Sequence, residues 1–110
     1  MATNYKVLGQ AALTAETNTD VYTVPAATQA VTSTIVVCNR AATDNTFRIA
    51  IRPAGATLAN QHYTAYDVAV SGTDSTNLTL GITLGAGDVV TAYAGAASEV
   101  SVSVFGSEIS

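Results

Sequence analysis

Tryptophan is missing from this 110-residue chain, and cysteine and histidine occur once each, proline twice, and lysine plus arginine only four times. Each scarcity excludes something. A lone thiol, Cys38, closes no intrachain disulfide, so the small size is not offset by that kind of staple. One cysteine and one histidine, Cys38 and His62, are too few for a structural zinc site, and the acids show no calcium-loop spacing. With Lys6, Arg48, Arg52 and Arg40 against eight acids, the net charge of −4 leaves no basic footprint for displacing counterions from phosphates, so no nucleic-acid partner is expected. No run approaches the roughly 20 apolar residues that cross a bilayer, and no membrane partner is expected. The first ten residues lack a basic segment followed by an apolar one, so no secretory signal is read there.

What the chain has in quantity is small and apolar. Hydrophobic residues make up 48% and charged residues 11%, against about 25% charged in ordinary soluble domains. A surface built from Thr, Ser, Asn, Gly and Ala is weakly solvated and repels neighbours little. Such a surface suits a neutral soluble domain or, the reading preferred, a subunit whose outer face is largely buried in an assembly.

Alternation with period two dominates the pattern. Phe47, Ile49 and Ile51 share one face and Arg48, Ala50 and Arg52 the other. Leu78, Leu80, Ile82 and Leu84 alternate with polar or small residues, as do Val100, Val102 and Val104. The unbroken run Ile35–Cys38 predicts a strand covered on both sides, with Cys38 as a buried, inert thiol. Further strands are expected at Tyr22–Val24, Tyr63–Val70 and Val89–Tyr93, with Tyr5–Leu8 as an edge or exchange strand. Turn residues separate them at 25–27, 41–45, 53–60, 71–75 and 85–88. No window carries a helical period. The expectation is one all-β domain over 1–110, an antiparallel β-sandwich or jelly-roll-like fold of seven to eight strands. So small a sandwich has edge strands, and few Lys or Pro residues stand ready to blunt them. A homo-oligomer, dimer or trimer, follows as an expectation.

Chemistry is thinly represented. His62 could be oriented by Asp67 or Asp74 in a Ser-His-Asp arrangement, but no nucleophile elbow accompanies it. A surface or interface histidine is the reading adopted. Asp44, Asp74 and Asp88 fall in or beside turns, where Asp bonds local backbone. Asp67 lies inside a strand and is expected to pair across the sheet with Arg48 or Arg52. Gly85-x-Gly87 has no following helix to make a phosphate loop, and Asn77-Leu78-Thr79, in a strand, is read as a chance glycosylation match. Tyr63, Tyr66 and Tyr93 are available either as interface anchors or as stacking surfaces for sugars. No catalytic, cofactor-binding or metal-binding residue is assigned, no cofactor is expected, and the chain is read as not an enzyme.

Several segments bear a family likeness. Tyr5-Lys6-Val7-Leu8-Gly9-Gln10, Tyr22-Thr23-Val24-Pro25-Ala26, Ser33 to Arg40, Phe47-Arg48-Ile49-Ala50 and Leu80-Gly81-Ile82-Thr83-Leu84 resemble small virion structural proteins of tailed bacteriophages, from Tyr5 to Phe105. The resemblance implies a capsid cement or decoration protein, assembled in the host cytoplasm and resident in the virion. Its implied partners are the major capsid protein or other virion proteins. The nearest variant is a head-to-tail, tail or fibre component that binds a receptor or glycan. The family carries over no catalytic residues.

Overall fold

The computed structural model describes residues 2–79, 81–95 and 99–110. The strands are β1 (Thr3–Leu13), β2 (Thr19–Thr23), β3 (Gln29–Asn39), β4 (Asn45–Arg52), β5 (Tyr63–Val70), β6 (Ser75–Leu78), β7 (Ile82–Leu84), β8 (Val89–Ala94) and β9 (Val100–Ile109), with short 3-10 turns at Pro53–Gly55 and Asn60–His62. All named pairings are antiparallel. One sheet runs β1-β9-β3-β6 with β7 also on β3, and the other runs β2-β8-β4-β5.

β6 pairs with Ile35–Cys38 and β7 with Ala30–Thr32. The two are therefore successive halves of one interrupted strand along β3. Counted so, eight strands form two four-stranded sheets. Most successive strands swap sheets, which is the double Greek key of a jelly roll. The Leu78–Leu84 alternation, expected as one strand, is thus divided; its Leu80 lies outside the described residues.

Between the sheets, β4 contributes Phe47 and Ile49, β3 contributes Ile35 and Val37, and β9 contributes Val100, Val102 and Val104, all essentially inaccessible to solvent. Leu13, Tyr22, Val90 and Ala92 complete the layer. The alternation of each strand is what aims these residues inward. The two-sided cover expected for Ile35–Cys38 is not found. Ile35 and Val37 are buried, while Val36 and Cys38 are half-buried on the outer face. A continuous apolar run meets solvent on one side here because, among the described residues, no helix or third layer covers the sheet.

Glycine is required where backbones meet. A Cβ on Gly9 of β1 would collide with the carbonyl of Val21 in β2, so Gly9 is what lets the two sheets close along that side. Asn39 ends β3 and holds neighbouring turns. Its Nδ2 donates to the carbonyls of Thr43, Val70 and Ser71, and its Oδ1 accepts from Ala41 N–H.

Candidate functional site

The outer face of the β2-β8-β4-β5 sheet gathers two arginines, Arg48 and Arg52, two acids, Asp20 and Asp67, and three tyrosines, Tyr63, Tyr66 and Tyr93. Register places Tyr93 of β8 opposite Arg48 of β4 and Asp20 of β2 opposite Thr91 of β8. The β4–β5 ladder slips between Phe47 and Ile49: Phe47 faces Val68 while Ile49 faces Ala65. One extra residue of β5 is accommodated there as a bulge, with Asp67 at φ 49°. Asp is one of the few residues that adopts this left-handed backbone readily. Strict alternation from Ala65 would turn Asp67 into the core. The bulge instead leaves Ala65 and Val70 buried and sends both Tyr66 and Asp67 outward, beside Arg48.

Arg48 joins these residues. Its Nε–H donates to Asp67 Oδ1 at 2.6 Å and its Nη2 reaches Oδ2 at 3.4 Å. The guanidinium carbon stands 4.2 Å from the centroid of Tyr66 and 4.4 Å from that of Tyr93. These two rings belong to the strands flanking β4, so the cation lies between them. Tyr63 meets Tyr66 edge-to-face at 4.9 Å. The carboxylate hydrogen bond raises the Arg48 pKa above its already high ordinary value, so the cation is permanent. Arg48 is mostly covered, whereas Tyr66 remains 56% exposed. The arginine fixes the rings and leaves tyrosine surface facing outward.

Beside this stack, Arg52 organises a second cluster. It donates to Asp20 Oδ1 at 2.8 Å, to Thr91 Oγ1 at 3.0 Å and to the carbonyls of Gly55 and Ala56. The 3-10 turn after β4 is thereby held over the sheet, and Thr91 and Val89 are buried although they point outward.

The sequence-based pairing of Asp67 is met by Arg48, while Arg52 goes to Asp20. Tyr63, Tyr66 and Tyr93 are brought together. Two of the turn acids bond local backbone as expected, Asp74 accepting from Ser75 N–H and Asp88 from Gly85 N–H. Asp44 instead accepts from Gly72 N–H in a facing turn, and Asp88 also takes the Ala54 N–H. His62 Nδ1 accepts from Ala59 N–H within its own turn, Asp67 is engaged by Arg48 and Asp74 caps a different turn, so the structure does not assemble the His62 arrangement weighed above. Among the described residues, no group of three or more His, Cys, Asp or Glu side chains could hold a metal ion.

Two features escaped sequence reasoning. One is the bulge, whose signal was the three-residue step from Ala65 to Val68. The other is at the opposite end of the core, where Tyr22 donates to Glu108 Oε2 at 2.6 Å and Lys6 to Oε1 at 3.1 Å. Those two donors hold the Glu108 carboxyl below its ordinary pKa, while burial and the Glu108 charge push the Tyr22 phenol up. No protein-family model, curated protein or solved structure matches the chain.

Proposed function

We propose that this chain is a non-enzymatic virion structural protein of a tailed bacteriophage, a capsid cement or decoration protein that stabilises the particle through protein–protein contacts. The observation that carries the proposal is the Tyr66–Arg48–Tyr93 stack on the outside of a jelly roll. Tyrosine and arginine are the side chains most enriched where protein interfaces concentrate their binding energy. A tyrosine held rigid before contact loses little conformational freedom on binding. Low surface charge favours close packing against neighbours. The jelly roll recurs in viral capsid and lectin domains, a fold-level analogy. A small protein bridging neighbouring capsid subunits adds buried area where a pressurised shell tends to open.

The same face favours a second reading, a tail or fibre component that binds a receptor glycan. Tyr63, Tyr66 and Tyr93 gather beside the half-exposed Asp67 carboxylate, a combination of ring and bidentate acceptor suited to a sugar. Densitometry of purified particles separates the two. Hundreds of copies per particle, with heat-labile particles when the chain is absent, support the shell. A handful of copies, with cell attachment lost on Tyr66→Ala, supports the tail. Purified virions lacking the chain altogether would remove both.

A further inference from the structure

The edges of the two sheets are not alike. β5 is bulged against β4, β2 is five residues long, and β6 and β7 interrupt one another along β3. These are devices that discourage edge-to-edge pairing. β1 is different. It runs eleven residues at the margin of its sheet, without proline, and its first ladder irregularity comes only after Val7. Thr3, Asn4, Tyr5, Lys6 and Val7 are exposed in succession, with Tyr5 at 86%. The single charge in that stretch, Lys6, is folded onto Glu108 at 3.1 Å.

Hydrogen-bond phase tells which backbone groups are free. Ala2 N–H donates to Ser110 O at 2.8 Å and Ser110 N–H returns to Ala2 O at 3.0 Å. Residue pairs of an antiparallel ladder alternate between mutually bonded and non-bonded. Asn4–Glu108 and Lys6–Gly106 are therefore bonded pairs, and Thr3, Tyr5 and Val7 turn their N–H and C=O away from β9. Among the described residues no strand pairs with that side of β1. Three donors and three acceptors thus stand in line at an unblunted edge.

We propose that two copies of this chain join through that edge, β1 against β1 in antiparallel register, with Tyr5 on the twofold axis. A second copy is the occupant because a twofold perpendicular to the sheet makes the edge its own complement. Outer face meets outer face, and each free residue meets another free residue. Tyr5 bonds Tyr5 of the second copy, and Thr3 bonds Val7, with two backbone hydrogen bonds for each of these three residue pairs. Charge selects this register. An axis at Lys6 would set two ammonium groups directly opposite, which destabilises a sheet. An axis at Tyr5 sets Lys6 opposite Asn4, whose own neighbour on β9 is Glu108. On the outer face, Tyr5, Val7 and the cross-strand neighbour Phe105 of each copy then make one continuous apolar strip. The proposal deepens the reading of the chain as a contact-making structural protein, but rests on no particular virion location.

The test replaces Cys38 by Ser, then introduces Tyr5→Cys. Cα atoms of a bonded antiparallel pair stand about 5.5 Å apart, inside the roughly 4.4–6.8 Å that disulfides span. Mild oxidation is expected to give a band at twice 11.1 kDa. Thr3→Cys in the same background is expected to give no cross-linked band, since its partner thiol in the dimer sits about 14 Å away along the strands. Tyr5→Pro takes no hydrogen bond from the β1–β9 ladder, because the N–H it removes faces the free edge; it is expected to abolish the dimer with the circular dichroism spectrum unchanged. A wild-type chain that sediments as a monomer at micromolar concentration, cross-linking at Thr3 rather than Tyr5, or a Tyr5→Pro protein that stays dimeric overturns the proposal. Those results leave particle copy number untouched. A dimer of this register in a protein absent from virions would instead remove only the virion reading.

Discussion

Removing the Asn39 side chain tests how the two turns at one end of the sandwich are held. The residue is 1% exposed, and its amide answers four backbone groups. Two bonds are short, 2.8 Å to Thr43 O and 3.0 Å from Ala41 N–H, while the 3.3 Å contacts to Val70 O and Ser71 O share the remaining donor capacity. Each well-formed bond contributes about 1 kcal/mol net, and a buried backbone group left without a partner costs about 1–3 kcal/mol. The Thr43 and Ser71 carbonyls lie at turns and can rotate toward water, which moves the sum to the lower end. Asn39→Ala is therefore expected to lose about 3 kcal/mol, a fall in Tm of roughly 12–20 °C for a domain of this size. Asn39→Asp sharpens the test. It keeps an acceptor for Ala41 N–H but aims a carboxylate at three carbonyls. At pH 7 it should be no more stable than the alanine variant, and it should recover as acid protonates the carboxyl and restores a donor. Thermal and urea unfolding followed by circular dichroism read both. A loss under about 1 kcal/mol for alanine, or an aspartate variant more stable than alanine at neutral pH, would show that Asn39 does not hold the turns.

Three further outcomes follow from the same geometry. Phe47→Ala opens a cavity at a fully buried site between the sheets and is expected to cost about 3–5 kcal/mol in denaturant titration. Gly9→Ala sets a methyl group against Val21 O and should cost about 1–3 kcal/mol as an overpacked contact; a neutral substitution would mean that β1 and β2 do not approach as described. The Glu108 carboxyl, held below its ordinary pKa chiefly by the Tyr22 hydroxyl and then by Lys6, stabilises the fold above the unfolded carboxyl pKa and loses that contribution as pH falls through the lower folded value. Tyr22 has the opposite sense: its raised pKa preserves stability up to the ordinary phenol range, and the contribution is lost at higher pH. Tyr22→Phe should lower Tm at pH 7 and converge on wild type in acid, whereas parallel Tm curves from pH 7 to 2 would refute the link.

Much of this protein was legible in its residues. Alternation at Phe47–Arg52 and Val100–Val104 dictates strands with one dry face, because side chains on a strand repeat every second position and only one side of an antiparallel sheet needs cover. The turn roles of Asp74 and Asp88 were equally local, since each side chain satisfies a backbone N–H in its own turn, whereas Asp44 reaches Gly72 N–H only because two distant turns face each other. A strand partner for Asp67 could be narrowed to two arginines by polarity alone. What sequence could not decide was anything that depends on which strand lies beside which. Tyr66 and Tyr93 are 27 positions apart, and only the order β8-β4-β5 sets Arg48 between them. The bulge that turns Tyr66 and Asp67 to the same side exists because the β4–β5 ladder slips by one residue, a property of the pairing rather than of either strand. Likewise Tyr22 finds Glu108, and Thr3, Tyr5 and Val7 are left facing outward, only once β9 lies along β1. Patterns within a strand come from local geometry; the tyrosine and arginine face and the open edge come from topology, which joins residues that local rules keep independent.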